Sequence, residues 1–395
     1  MTQSPKHPKK WGTRIVEAGR NPEAFHGAVN PPVYHASTIL FPTVDAMMQY
    51  ETNRVRYGRH GTPGTHAFED AMCEIEGGAA ACLAPSGLAA VTGALLAFLK
   101  AGDHLLMVDT VYDPTRGFCD TMLAGLGIET TYYNPLDTEG LRALIRPQTK
   151  VIFAEAPGSR TFEMQDLPAL VAIAQESASD IVTMIDNTWA TPVYFRPLDF
   201  GIDVSIQAAT KYIVGHADAM LGVATGNARV ADQLVQGFRV AGHCAGPDDV
   251  YLGFRGLKTL PLRLKQHSDQ AMALIAWIAD QPDCARILYP AWPEDPGYGL
   301  WRRDFSGATG LFGFVMQGGT WDQAKALLDT LNLFGMGFSW GGYESLIVPN
   351  RSFKRLATPW DPEGPSFRIH AGLEDVDDLI ADLEKGFAAF RAAAS

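Results

Sequence analysis

Apolar residues in this chain gather into short unbroken runs instead of alternating with polar ones. His104-Leu105-Leu106-Met107-Val108-Asp109, Val151-Ile152-Phe153-Ala154-Glu155, Ile181-Val182-Thr183-Met184-Ile185-Asp186 and Val204-Ser205-Ile206 are such runs. A strand with little polar alternation is covered on both faces. Between the runs lie segments of helical spacing. One starts near Gly87 and carries Leu88, Ala89, Val91, Ala94, Leu95 and Phe98. Another carries Leu167, Leu170, Val171 and Ile173, with Asp166 placed to cap it. Strands alternating with helices predict an α/β fold with a mostly parallel central sheet between helices. The run Met220-Leu221-Gly222-Val223-Ala224 predicts one more strand.

The pattern divides the chain into three spans. Residues 1–60, rich in Pro, His, Gly and polar residues, predict an extended N-terminal arm with few elements, ordered by contact with a neighbouring subunit. Residues 61–260 hold the alternating strands and helices. In 261–395 a helical stretch from Leu264 to Ile278 leads into a loop rich in Pro, Trp and Gly, from Pro290 to Gly299. A strand-like run, Gly310 to Met316, a helix around Trp321 to Leu331 and a last helix from about Asp375 to Ala393 follow. This span predicts a smaller α+β C-terminal domain.

Composition narrows the function classes. Apolar residues make up 47% of the 395, enough for a sizeable core. The net charge of −12 argues against a nucleic-acid binder, though a local anion site is compatible with it. The five cysteines (Cys73, Cys82, Cys119, Cys244, Cys284) form no pair with zinc spacing, so no metal is expected, and a reducing compartment is. The longest apolar stretch, Gly87 to Leu99, is too short to cross a bilayer. No apolar run follows the basic N-terminal residues, so a signal peptide is not expected. The expectation is a cytoplasmic protein with no membrane partner.

Lys211, in Ala209-Thr210-Lys211-Tyr212, follows a strand run and precedes a glycine-containing loop. A desolvated lysine there can hold pyridoxal phosphate (PLP) as a Schiff base; on this motif alone a lysine is most often a solvated surface charge. Such chemistry needs companions. Ser86-Gly87-Leu88-Ala89-Ala90 opens a helix whose N-terminus suits a phosphate, although Ser86 also reads as an ordinary cap. Thr210 offers a hydroxyl, and Tyr57 with Arg59 a phenol and a guanidinium. Asp186, at a strand end, suits a pyridinium nitrogen or simply starts a turn. Tyr112, after another strand end, suits the ring face. Arg368 suits a substrate carboxylate. Phe338-Ser339-Trp340-Gly341-Gly342 sets two aromatics beside a Gly-Gly that lets backbone approach a ligand.

Taken in order, these segments resemble the Cys/Met-metabolism family of PLP enzymes. The resemblance runs from Asn30-Pro31-Pro32-Val33-Tyr34 through Tyr57-Gly58-Arg59, Ser86 to Ala90, Asp186-Asn187-Thr188-Trp189, Ala209 to Tyr212 and Arg255-Gly256-Leu257-Lys258-Thr259-Leu260 to Ser339 to Leu346. It implies a PLP-dependent transferase fold of type I, like that of aspartate aminotransferase. Lys211 would hold the cofactor and act as base. Gly87, Leu88 and Thr210 would hold its phosphate, with Tyr57 and Arg59 reaching across from a neighbouring subunit of a homotetramer built from dimers. Asp186 would pair with the ring nitrogen, and Tyr112 would stack on the ring or move a proton. Ser339, Trp340 and Arg368 would bind substrate. Ala208 before the lysine and Phe338-Ser339-Trp340 resemble the cystathionine β-lyase branch, implying α,β-elimination on L-cystathionine. The γ-acting branches and a broad cysteine-S-conjugate β-lyase share the cofactor residues. A non-catalytic PLP-fold module would be marked by loss of Lys211 or Asp186, and both are present. A nicotinamide dehydrogenase would need a G-x-G-x-x-G after its first strand, which is missing. Asp113-Pro114 departs from the Gly-Gly of relatives, and Leu88 stands where methionine is usual.

Overall fold

The unbroken runs become strands buried on both faces, because each lies between layers of helices. The structure, a computed structural model, describes residues 9–49, 53–177, 180–350 and 354–394; the first eight residues of the predicted arm lie outside these. The large sheet holds β1 (Ala80–Ala84), β2 (His104–Val108), β3 (Glu129–Tyr133), β4 (Thr149–Glu155), β5 (Val182–Asp186), β6 (Val204–Gln207) and β7 (Gly222–Gly226). Their order is β1-β7-β6-β5-β4-β2-β3. Strands β3, β2, β4, β5 and β6 pair in parallel, and β7 runs antiparallel between β6 and β1. The mostly parallel sheet is therefore as expected. Strand β7 starts later than the apolar run, because Leu221 closes the turn after β6: the Thr210 N–H donates to its carbonyl at 2.9 Å.

Two strands of this sheet escape the apolar pattern. Strand β1 is alanine-rich, and β3 sits at the sheet edge with its first residues partly in solvent, so it need not be apolar throughout. The helix Gly87–Phe98 is capped by Ser86, which accepts from the Ala89 N–H at 3.1 Å, and Leu167–Glu176 is capped by Asp166 as expected. Small residues let the first of these press closely on Ala231–Ala241. A Cβ on Gly237 would stand 2.4 Å from that of Ala97.

The second sheet is antiparallel, in the order β10-β11-β9-β8, from β8 (Cys284–Leu288), β9 (Leu311–Met316), β10 (Leu346–Pro349) and β11 (Ser366–His370). The helices Leu260–Ala279 and Val376–Ala392 meet edge to face through Trp277 and Phe387. The predicted loop at Pro290 to Gly299 is shorter than expected, since a helix begins at Tyr298.

Within the predicted arm two behaviours appear. The helix Trp11–Glu17 docks on its own chain, where Lys258 donates to the Ala18 carbonyl at 2.6 Å and Arg14 to that of Glu74 at 2.8 Å. A cation on its last carbonyls also suits the helix dipole. Further on, Leu40, Val44, Met47 and Met48 stand exposed. Among the described residues no helix is long and apolar enough to cross a membrane, and no His/Cys/Asp/Glu cluster could hold a metal.

Candidate active site

Parallel strands deliver their last residues to one edge, and that edge carries the titratable groups. Glu155 ends β4 and Asp186 ends β5, paired directly in register, with Asp186 beside Ile206 of β6. Beyond β6 the chain turns through Ala208 to Lys211. Beyond β2 it turns through Asp109 to Tyr112. The helix Gly87–Phe98 starts against the same turn: a Cβ on Gly87 would lie 2.4 Å from that of Ala208, so only glycine lets the two meet. The first N–H groups of that helix have no acceptor within it.

Lys211 is held from both sides. Its Nζ donates to Ser339 Oγ at 2.6 Å and lies 5.3 Å from the centre of the Trp340 ring. Burial pushes the ammonium down to about 8; Arg368 adds to the shift and Asp186 opposes it. The backbone around Lys211 is clamped by Arg263, which donates to Tyr212 O at 2.6 Å, to Ile213 O at 3.2 Å and to Gly256 O at 2.8 Å. Gly341 has φ of 86°, and a Cβ there would come within 2.9 Å of Lys211 C. The loop carrying Ser339 can rest on the lysine only because that position is glycine. Ser339 itself has φ of 91°, a rare conformation for a residue with a Cβ. Its carbonyl accepts from Arg368 Nη2 at 3.3 Å, so one residue touches both cations. Burial also lowers Arg368, to about 10, with Arg160 adding to the shift.

Asp186 is shifted upward by burial, restrained by Thr188 and Lys211. Thr188 donates to its Oδ1 from N–H (3.0 Å) and hydroxyl (2.5 Å), and both of these bonds fall on that one oxygen. Burial and the neighbouring Asp186 carry Glu155 well above the usual carboxylate range. Glu155 Oε2 accepts the Tyr112 N–H at 2.9 Å. Desolvation raises the Tyr112 phenol and Arg368 opposes this, so Tyr112 stands within electrostatic reach of the carboxylate-binding candidate.

The structure thus brings Lys211, Asp186, Tyr112, Ser339, Trp340 and Arg368 together, with Gly87 and Leu88 at the adjoining helix start. Thr210 adjoins them, but its hydroxyl donates to Leu221 O at 3.1 Å and accepts from Leu221 N–H at 2.8 Å. Tyr57 and Arg59 lie elsewhere on the chain. Arg59 donates to Arg239 O at 3.0 Å and lines a cavity of about 230 Å³ with Arg54, His60, Asp70 and His243. That cavity contains none of the groups around Lys211.

Glu155 and Arg263 were not among the sequence candidates. Glu155 had a signal: three buried runs end in an acid, at Asp109, Glu155 and Asp186. Arg263 lies within a helix and gives no local sign of its partners.

The donor set fits PLP. A helix start with free N–H groups suits a phosphate. A buried carboxylate whose two described hydrogen bonds share one oxygen suits a pyridinium. A lysine brought near neutral pH suits a carbonyl carbon.

Comparisons agree with that chemistry. Residues 12–388 match the family model described as Cys/Met metabolism PLP-dependent enzyme. A Rhizobium johnstonii protein is 49% identical over 95% of this chain and 96% of its own. The Escherichia coli protein named "Cystathionine beta-lyase MetC" is 45% identical over 96% of this chain and 98% of its own. A solved structure titled "Crystal structure of metB from Corynebacterium glutamicum" superposes with a TM-score of 0.89 at 27% identity, covering 96% of this chain and 98% of that one.

Proposed function

Because the chain belongs to the Cys/Met metabolism family of PLP-dependent enzymes, and its likeness to proteins named as cystathionine β-lyases makes it a carbon–sulfur lyase, we propose that it carries out α,β-elimination on L-cystathionine. The products are homocysteine, pyruvate and ammonia. When bound, PLP supplies an electron sink for the charge that develops at the substrate Cα. The chain's own residues do the rest. Arg368, with its planar fork, holds the α-carboxylate. Lys211 Nζ takes the Cα proton, and its lowered affinity for a proton makes it a base near neutral pH. Ser339 Oγ aims that amine. The Cβ–S bond then breaks, and the departing thiolate takes a proton from Lys211 or from Tyr112. The released 2-aminoacrylate hydrolyses to pyruvate and ammonia. Asp186 would pair with the ring nitrogen of the bound cofactor and favour its protonated form, and Trp340 walls the site beside Lys211.

The observation that carries the reading is Ser339 contacting both the base and the carboxylate grip. The E. coli relative named as a cystathionine β-lyase supports the choice of substrate. Incubating purified, PLP-loaded protein with L-cystathionine tests it. Pyruvate with homocysteine is expected. Formation of 2-oxobutyrate with cysteine would mean γ-elimination instead.

The same reading assigns residues 61–260 to PLP binding and 261–395 to a closing α+β domain, supported by the two sheets lying within those spans. It includes a homotetramer of dimers in which Tyr57 and Arg59 complete a neighbour's phosphate site, located in the cytoplasm. Exposed apolar side chains at Leu40, Val44, Met47 and Met48 support an assembly that covers them.

A further inference from the structure

The loops that leave β2 and β4 are neighbours because the strands are. Ser159 N–H donates to Thr110 O at 2.8 Å, tying one loop to the other. A Cβ on Gly158 would come within 2.5 Å of Thr110 Oγ1, so the contact is close. The next residue, Arg160, is held at φ of 68°, and its Nη2 meets Asp113 Oδ2 at 2.5 Å. Asp113 directly follows Tyr112. The two side chains keep 29% and 37% of their surface exposed, which puts them at the rim of a site whose floor, around Lys211 and Asp186, is buried. They also act on that floor: Arg160 on Arg368, and Asp113 on Tyr112 and Glu155.

The energetics do not favour this pair as a stabilising device. A non-glycine residue in the left-handed region costs roughly 1–3 kcal/mol, and such outliers gather at ligand clamps. A half-exposed ion pair returns only about 0–1 kcal/mol. The turn is held by its backbone, since Phe162 N–H donates to Gly158 O at 3.0 Å and Asn350 Nδ2 to Arg160 O at 3.4 Å, so the side-chain pair is not needed to keep it. What the pair displays is one carboxylate and one guanidinium side by side. An amino-acid tail displays the complement: one ammonium and one carboxylate on the same carbon.

We propose, taking the β-elimination reading as given, that Asp113 and Arg160 bind the distal amino-acid end of the thioether substrate, Asp113 its ammonium and Arg160 its carboxylate. Arg368 and Lys211 work on the near end. On binding, each protein charge exchanges one opposite partner for another, so neither is left desolvated and unpaired. Thioethers with uncharged tails gain nothing from the pair. Selectivity for a substrate with two amino-acid ends over simple S-alkyl cysteines then follows from these two residues.

The test uses the PLP-loaded enzyme with Arg160→Gly, Asp113→Asn and both together. Arg160→Gly relaxes the left-handed backbone while removing the guanidinium, so a folding defect does not follow from the strain. Melting temperature and visible absorption of bound PLP are recorded for each variant. With L-cystathionine, each single variant should raise KM about tenfold with kcat little changed, as loss of ground-state binding requires. With S-methyl-L-cysteine, which lacks the distal charges but still uses Arg368 and Tyr112, the change in KM should stay within about twofold to threefold. Equal losses on the two substrates, or an unchanged KM for L-cystathionine, would overturn the assignment. A parent enzyme that releases no pyruvate from either substrate would instead overturn the β-elimination reading beneath it.

Discussion

The two sides of this site reach the same physical state by different routes. On the strand-end side, Glu155 and Asp186 sit where β4 and β5 stop, and burial pushes both acids toward their neutral forms. On the loop side, Lys211 and Arg368 are also largely shielded from water, and desolvation pushes both cations the other way. Desolvation penalises charge of either sign, so one dry pocket yields acids that resist ionising and an amine that sheds its proton easily. The sides differ in how they are held. The sheet register fixes the acids, whereas the lysine and arginine meet across a loop that depends on one glycine and one strained serine. A rigid half and a conditional half should fail differently under mutation.

Lys211→Ala should produce the largest break. Removing the base is expected to lower kcat by roughly a thousandfold, within the range for positioned proton transfer, with the far-ultraviolet circular dichroism unchanged. Retained turnover would refute the role given to this amine. Gly341→Ala comes next. It places a Cβ against Lys211 at a backbone angle that suits glycine, so activity should drop on the order of tenfold to a hundredfold and the melting temperature should fall. A melting curve at the parent's temperature with full activity would show the loop to be freer than its geometry indicates.

On the rigid side, Glu155→Gln keeps an oxygen to accept the Tyr112 N–H, while Glu155→Leu removes it. The first should bind PLP within about threefold of the parent, and the second roughly tenfold more weakly, measured by reconstituting the apoenzyme. Equal affinities would detach Glu155 from the positioning of Tyr112. The smallest effect concerns a carboxyl outside the site. Glu76 is fully buried, and burial lifts it to about 7 from 4.5, against the hydrogen bond that Gln207 Nε2 donates to its Oε1 at 3.1 Å. Its native-state pKa is the higher one, so the folded protein binds more protons than the unfolded chain between those values. Stability should therefore decline as pH rises from 4.5 through 7. Glu76→Gln should flatten that part of the melting-temperature profile, and an undiminished slope would assign it to other groups.

The difference between the halves also explains what could be read from the chain. Buried parallel strands leave a direct mark in unbroken apolar runs, so β2, β4, β5 and β6 were legible, and with them the places of Asp186 and Lys211. The acids that end three of these runs were visible too, though only the geometry separates Glu155 from an ordinary turn residue. Strands β1 and β3 were hidden, one by its alanines and the other by its edge position. The loop side left fainter traces. The Gly-Gly after Trp340 announced a close approach, but nothing in local spacing says that Ser339 would face Lys211, which lies 128 residues away. Arg263 was illegible for the same reason, since its acceptors are backbone carbonyls of a distant turn.

Ser339 has a consequence for anyone wishing to retrain this scaffold. Recognition and reactivity share a hinge-pin there: its hydroxyl steadies the amine and its carbonyl anchors the guanidinium. Exchanging Arg368 for another group, to admit a substrate without a carboxylate, would remove a positive neighbour from Lys211 and make that amine keep its proton to a higher pH. Taste and appetite are thus wired together, and a new preference would have to be bred along with a new working pH.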